Sequence, residues 1–593
     1  MSAMKTIKTL KSLLIATLSV VLFAGCAGQS LSDSAAERSS YIVQGAELAS
    51  VKALVTMEGG EITHELGVIR AVAAELTIEQ VAVLESTAGI RRIYGNAAVE
   101  TSGKPDKGNK GGGGDDGTTD EGIAGSAYTE FPSLVDADVL HDQGIDGWGI
   151  TIAVLDSGIY SGPGITQDRY GKDRLKAVYD ATTDQQYYTG GKGKSAIDLS
   201  DGFDIDDNGH GSHVAGVAAS GKLSDAGKYN GIAPAAPLVA VKVFDANGVG
   251  SYADVIRGVD WVVANKQNLQ IRVLNMSLSA PPRSHYWDDP LNQAVMAAWE
   301  AGIVVVASAG NSGPDAQSIG VPGNVPYVIT VGAMTDNYTP ADGSDDRLAT
   351  FSAVGPTYEG FVKPEVVAPG GHIVASMEGT DQIAMDHSGF YMGANFFQMS
   401  GTSQATAVVS GLAALILQMQ PGLAPDAVKC TIMRGARPAL AADGSLAYSV
   451  FQQGAGMVNA NDSVYDWNYD CANNGLDIAA DLAGTAHFGG RANQDANGDY
   501  YLMGLDGYLW TDGGVDTNGY LWTDGYLWTD GYLWTDGYLW TDGSIGANGY
   551  LWTDGYLWTD GYLWTDGYLW TDGYLWTDSL TESASINTWV EQE

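Results

Sequence analysis

Cysteine is nearly absent, with three in 593 residues, and beyond the extreme N-terminus only Cys430 and Cys471 occur. Neither stands in a motif beside a histidine or a basic residue, which argues against a reactive-thiol enzyme. In an oxidising compartment two leftover thiols most simply join each other, so a Cys430–Cys471 disulfide is expected. Positive charge is also scarce: 30 Lys and Arg face 71 Asp and Glu, for a formal charge of −41 at pH 7. Such a field repels nucleic acid and anionic lipid at long range and leaves neutral or cationic polypeptide as the partner class. Long apolar runs are missing beyond "LLIATLSVVLFA" near the start, itself short for a spanning helix. A chain of this length accommodates a large buried core in several domains.

That first apolar run follows Lys5, Lys8 and Lys11 and ends in "LFAGC", the pattern of an export signal over residues 1–26. Small residues directly before Cys26 resemble the bacterial lipoprotein cleavage site, which implies lipidation of Cys26 and a tether over 27–40. Phe23, where an aliphatic residue is usual, leaves ordinary signal cleavage open. The chain is thus expected in the bacterial cell envelope as a lipid-anchored precursor, outside the cell after processing, or both. Residues 41–100 read as a compact segment, and the Gly-rich stretch 101–127 breaks all periodicity and reads as a linker.

From Ile150 onward, short valine- and isoleucine-rich runs ("ITIAVLD", "LVAVKVF", "RVLNMSL", "IVVVASAG", "VITVGA") alternate with helical stretches such as "SYADVIRGVDWVVANK". Nearly continuous apolar strands spaced by helices predict an α/β fold with a parallel sheet sandwiched by helices. Ligands of such sheets gather at the carboxyl ends of the strands. There the sequence places Asp156, closing the first run, and Asn311, after the fourth; Ser403 precedes a helix apolar on nearly every face. The stretch "DDNGHGSHVAG" adds His210 and His213. Taken alone, that stretch suits a base or, with Asp204, Asp206 and Asp207 nearby, a metal site.

The motifs together resemble the subtilisin-like serine proteases, or subtilases, from about Tyr128 to Asn461. They run from "GWGITIAVLDSGI" through "NGHGSHVAGVAA", "LNMSLS" and "VVASAGNSG" to "SGTSQATA" and "GAGMVNA". The resemblance implies a subtilisin-like fold and peptide-bond hydrolysis with Ser403 as nucleophile, His210 as base, Asp156 behind the imidazole and Asn311 in the oxyanion site. It makes His213 structural and needs no cofactor for the chemistry; a structural calcium ion is common in the family, with no ligands transferable here. It also sets Ser277, Leu278, Ser279, Ser308, Ala309 and Gly310 as walls of the first specificity pocket and Gly320 as its base. A glycine there is expected to leave room for a large apolar or aromatic side chain.

By the same resemblance, residues 41–100 are a small α+β inhibitor propeptide, with its helix near Thr77 and self-cleavage between Thr101 and Tyr128. The catalytic domain spans 128–466 and a connecting segment 467–506. Residues 507–578 follow as "GYLWTD" ten times, interrupted in phase by "GGVDTN" and "GSIGAN", and an acidic tail covers 579–593. A six-residue period suits short strands and turns of a stacked solenoid, or an expanded low-complexity tail. The expected partners are a polypeptide substrate, the chain's own propeptide and, through the repeat, a cell-surface polymer. In the alternative reading the whole chain is a surface-binding protein and the repeat its functional part.

Overall fold

The computed structural model describes residues 38–96 and 130–502, apart from short stretches at 163, 190–195, 198–202, 225–226, 341–342, 344, 442–444 and 496–497, and also 585–586. Cys26, the export signal, the linker, the repeats and all but two residues of the acidic tail lie outside the described residues.

The first unit comprises β1 (Ser39–Gly45), α1 (Leu48–Met57), β2 (Glu61–Leu66), β3 (Ala71–Leu76), α2 (Ile78–Glu85) and β4 (Ile90–Gly95). Its antiparallel sheet has the order β2-β3-β1-β4. The two-residue period of a strand divides β3: Val72, Ala74 and Leu76 join Val51, Val55 and Leu84 in a local core, while Ala71 and Ala73 face the larger body. Thr77 and Gln80 form a reciprocal capping box that starts α2.

The larger body opens with α3 (Phe131–Leu134) and α4 (Ala137–His141), followed by β5 (Thr151–Asp156), β6 (Leu175–Asp180), β7 (Gln185–Thr189) and β8 (Ala196–Ile197). Then come α5 (His210–Ala219), β9 (Leu238–Lys242), α6 (Tyr252–Leu269), β10 (Ile271–Met276), β11 (Leu278–Ser279), α7 (Pro290–Glu300) and β12 (Val304–Ser308). The sheet is completed by β13 (Ile329–Thr335), β14 (Arg347–Leu348) and β15 (Val366–Pro369). Its order is β14-β13-β12-β10-β5-β9-β6-β7-β8, with β15 also beside β13. Pairing is parallel except at β6–β7 and β13–β14. Helices cover both faces, so β5, β9 and β12 are buried at every residue and read as unbroken apolar runs.

The small unit sits on α6 and α7. His64 meets Asp254 at 3.0 Å, the N–H of Gly67 donates to Asp260 at 2.8 Å, and Arg92 pairs with Asp288 at 2.8 Å. Asp289 caps α7 through the N–H groups of Leu291 and Asn292, with Pro290 at its first turn.

Beyond the sheet, β16 (Ile373–Ser376), α8 (Gln382–Asp386), β17 (Tyr391–Gly393) and β18 (Phe396–Met399) form a side layer ordered β16-β18-β17. The helix α9 (Thr402–Met419) is the one described helix long and apolar enough to cross a membrane, and 89% of it is buried inside the fold. After α10 (Pro425–Gly435), α11 (Val450–Gln453) and α12 (Ala460–Val464) comes the segment from residue 467 that the sequence marks as connecting. There α13 (Ile478–Ala483) and the hairpin β19 (Ala492–Gln494) and β20 (Tyr500–Leu502) fold back onto the body. The hydroxyls of Tyr286 and Tyr327 both donate to buried Asp481, and Trp287 stacks between His285 and His487. A disulfide joins Cys430 on α10 to Cys471 at the start of this segment. The last described element is β21 (Ser585–Ile586), paired with β11.

Candidate active site

Strand alternation aims Asp156. Leu155 packs toward Gly258 on α6, so its neighbour Asp156 faces the opposite side, under the first turn of α5. Its Oδ1 accepts the Nδ1–H of His210 at 2.7 Å and the N–H of Ser157 at 2.7 Å. Asp156 is fully buried and His210 is 1% exposed. A proton held on Nδ1 by a carboxylate leaves Nε2 as the accepting nitrogen.

The start of α5 is organised by Asp206, whose role sequence reasoning missed. Fully buried, it accepts the N–H of Gly209 at 2.9 Å, the N–H and O–H of Ser212 at 2.7 and 2.6 Å, and the O–H of Ser157 at 2.7 Å. Gly209 has φ 97°, and a Cβ on Gly211 would come within 2.4 Å of the Gly158 carbonyl, so both glycines serve a crowded backbone crossing. An aspartate three residues before a glycine that opens a helix was the available signal.

His213 turns elsewhere. Its Nε2 donates to the Phe397 carbonyl at 3.1 Å, and burial pushes its imidazole down to about 3, so it stays neutral. Neither histidine belongs to the one candidate cation cluster among the described residues, Asp204, Glu378 and Asp381, whose ligand atoms lie within 4.8 Å of one another. Burial, with crowding by Asp206 and Glu378, pushes Asp381 up to about 8 and Asp204 up to about 6. The segment carrying Asp381 grips the histidine loop: the N–H groups of Gln382 and Ile383 donate to the carbonyls of Asp207 and Asn208, each at 3.1 Å.

Ser403 is the second residue of α9. Its Oγ donates to the Ser277 carbonyl at 3.3 Å, while the Ser277 hydroxyl donates to the Ser403 carbonyl at 2.9 Å. Gln404 approaches His213 at 3.4 Å, so Ser403 and His210 occupy adjoining first turns of two packed helices. Asn311 lies just beyond β12. Its Oδ1 accepts the N–H and O–H of Thr402 at 3.0 and 2.9 Å, which leaves Nδ2 buried without a protein partner. The position of a Cβ on Gly401 would lie 2.8 Å from Gln404 Oε1, 3.5 Å from that Nδ2 and 3.7 Å from the Ser403 nitrogen. Glycine therefore makes way for the Gln404 side chain, and the Asn311 amide and the Ser403 N–H border the same space at a helix N-terminus, two donors that can hold developing negative charge.

The pocket walls converge as well. Ser308 Oγ donates to the Leu278 carbonyl at 2.8 Å, and Ser277, Ser308 and Ala309 are buried. At Gly320 the Ser279 Oγ stands 1.9 Å from where a Cβ would be, and it lies 2.8 Å from the corresponding point on Gly310. Both glycines make way for that hydroxyl.

The model of the subtilase family matches residues 147–456 of the chain, a span containing all four of Asp156, His210, Asn311 and Ser403. Serine protease AprX of Bacillus subtilis is 40% identical over 331 residues, which is 55% of this chain and 68% of that protein. A thermostable alkaline protease of Halalkalibacterium halodurans is 29% identical over 423 residues, 71% of this chain and 92% of its own length. Fervidolysin from Fervidobacterium pennivorans, a keratinolytic enzyme related to subtilisin, shares the fold with a TM-score of 0.51 at 21% identity, over 74% of this chain and 62% of that one. A family match across more than half the chain, together with these relatives, makes the chain a member of the subtilase family and a serine endopeptidase.

Proposed function

We propose that the chain is exported as a self-inhibited precursor and hydrolyses polypeptide through an acyl-enzyme on Ser403. The Ser403 Oγ bonds to the substrate carbonyl carbon while its proton passes to Nε2 of His210, and Asp156 stabilises the imidazolium through Nδ1. Charge on the carbonyl oxygen is held by Asn311 Nδ2 and the Ser403 N–H. The C–N bond then breaks, the imidazolium protonates the leaving amine, and a water deprotonated by the same ring releases the acid product. The observation that carries this reading is the unpartnered amide of Asn311, aimed by Thr402 at the start of the serine's helix. Buried polar groups are seldom left unpaired unless a ligand completes them.

Residues 41–100 act in this proposal as an inhibitor and folding template. Their seat on α6 and α7 supports it, as does the bond from the Ala253 N–H at the start of α6 to Asn96 at 3.0 Å. Cleavage in the 101–127 linker frees the catalytic part, and lipid on Cys26 stays with the short fragment. Purified wild-type precursor is expected to yield two fragments and Ser403→Ala to remain whole. Equal processing of both would overturn the proposal, and lipid label on the mature catalytic chain would overturn the anchoring.

A further inference from the structure

The strand β11 leaves the sheet at Ser277, whose carbonyl accepts the hydroxyl of Ser403, so its ladder borders the nucleophile. That ladder is occupied. Leu278 pairs with Ile586 and Ser279 with Ser585, antiparallel, in a two-stranded sheet of their own. The direction of β21 matters: moving from Ser585 to Ile586 steps from Ser279 to Leu278, toward Ser277 and the nucleophile. A peptide strand added antiparallel to this edge likewise leads its chain toward Ser403. Strand addition draws on main-chain hydrogen bonds and so makes few demands on sequence.

We propose that the C-terminal strand Ser585–Ile586 is a substrate-like ligand of the cleft, held in cis and competing with external polypeptide for β11. The proposal rests on the reading of Ser403 as the nucleophile, and it adds a second occupant with a different lifetime. A cut in the 101–127 linker severs the N-terminal unit from the catalytic body, whereas residues 585–586 remain covalently joined to it. A tethered ligand meets its site at an effective concentration on the order of millimolar, so even millimolar affinity fills the cleft about half the time.

The test compares the full chain with a Ser585→Pro/Ile586→Pro double variant, in which neither residue keeps an N–H to offer the ladder. The variant is expected to show a KM for a peptide substrate lowered about twofold or more with kcat unchanged. A synthetic peptide of residues 579–593 should inhibit the variant competitively, and the same peptide carrying the two prolines should not. Equal KM values with no competition at several millimolar peptide would overturn the proposal. Should no form hydrolyse peptide, the catalytic reading fails by itself. Calorimetric binding of the 579–593 peptide to the double variant carrying Ser403→Ala still decides this one, binding supporting it and none refuting it.

Discussion

Thr402 holds Asn311 by its oxygen, so the residue beside Ser403 determines where the amide nitrogen points. Asn311→Ala is therefore expected to lower kcat by about 10²–10³ with KM little changed, the magnitude known for an oxyanion amide in subtilisin. Steady-state kinetics on a peptide substrate checks the split. At Ser279 the hydroxyl fills the space that Gly320 leaves, so Ser279→Gly should raise kcat/KM for large residues before the scissile bond over small ones by about tenfold. Unchanged relative rates across a substrate series would show that this hydroxyl does not limit the pocket. The pairing of Asp156 with His210 and the meeting of Asn311 with the start of α9 were legible because each residue stands in a motif at a strand end or helix start. The bonding of Asp206 was not, nor was the placing of the Ser279 hydroxyl against Gly310 and Gly320, since both depend on donors and glycines brought together from separate loops.

At the scale of elements, the helices α5 and α9 are steadied by neighbours rather than by their own caps. The segment Glu378–Ile383 grips the loop before α5 and brings Asp381 against Asp204, Asp206 and Glu378. The raised Asp381 group, ordinarily near 3.8, means that the folded protein keeps this proton when the unfolded chain has lost it. Its linked stability is greatest below about 4 and is lost as the pH rises toward 8. Asp381→Asn, uncharged throughout, should narrow the difference in Tm between pH 5 and pH 9, measured by thermal unfolding; an unaltered difference would show that the group titrates normally. The central strands were legible as apolar runs because helices cover both their faces. The extension β6–β8 was not, because β7 ("QQYYT") is half exposed and carries no apolar run. The fold-back of α13 was hidden for another reason: a buried aspartate shared by two tyrosines leaves no periodic trace.

At the scale of the whole molecule, a body built on one mostly parallel sheet is flanked by the N-terminal unit on α6 and α7 and by the returning segment after residue 467. The Cys430–Cys471 disulfide closes a span of 41 residues where that segment leaves α10, so replacing both cysteines by alanine should cost about 4 kcal/mol on chain-entropy grounds. Denaturant unfolding of the oxidised protein beside the variant measures it, and equal midpoints would remove the staple from the account. The central claim is that a hydroxyl, an imidazole, a carboxylate and an amide supplied by four distant stretches of chain act as one acyl-transfer site. Treatment with a fluorophosphonate, followed by mass spectrometry of the labelled peptide, tests it most directly. One label per chain on Ser403, abolished in His210→Ala, is the expected result. Absence of label from the processed wild-type enzyme, or label that persists in Ser403→Ala, would contradict it.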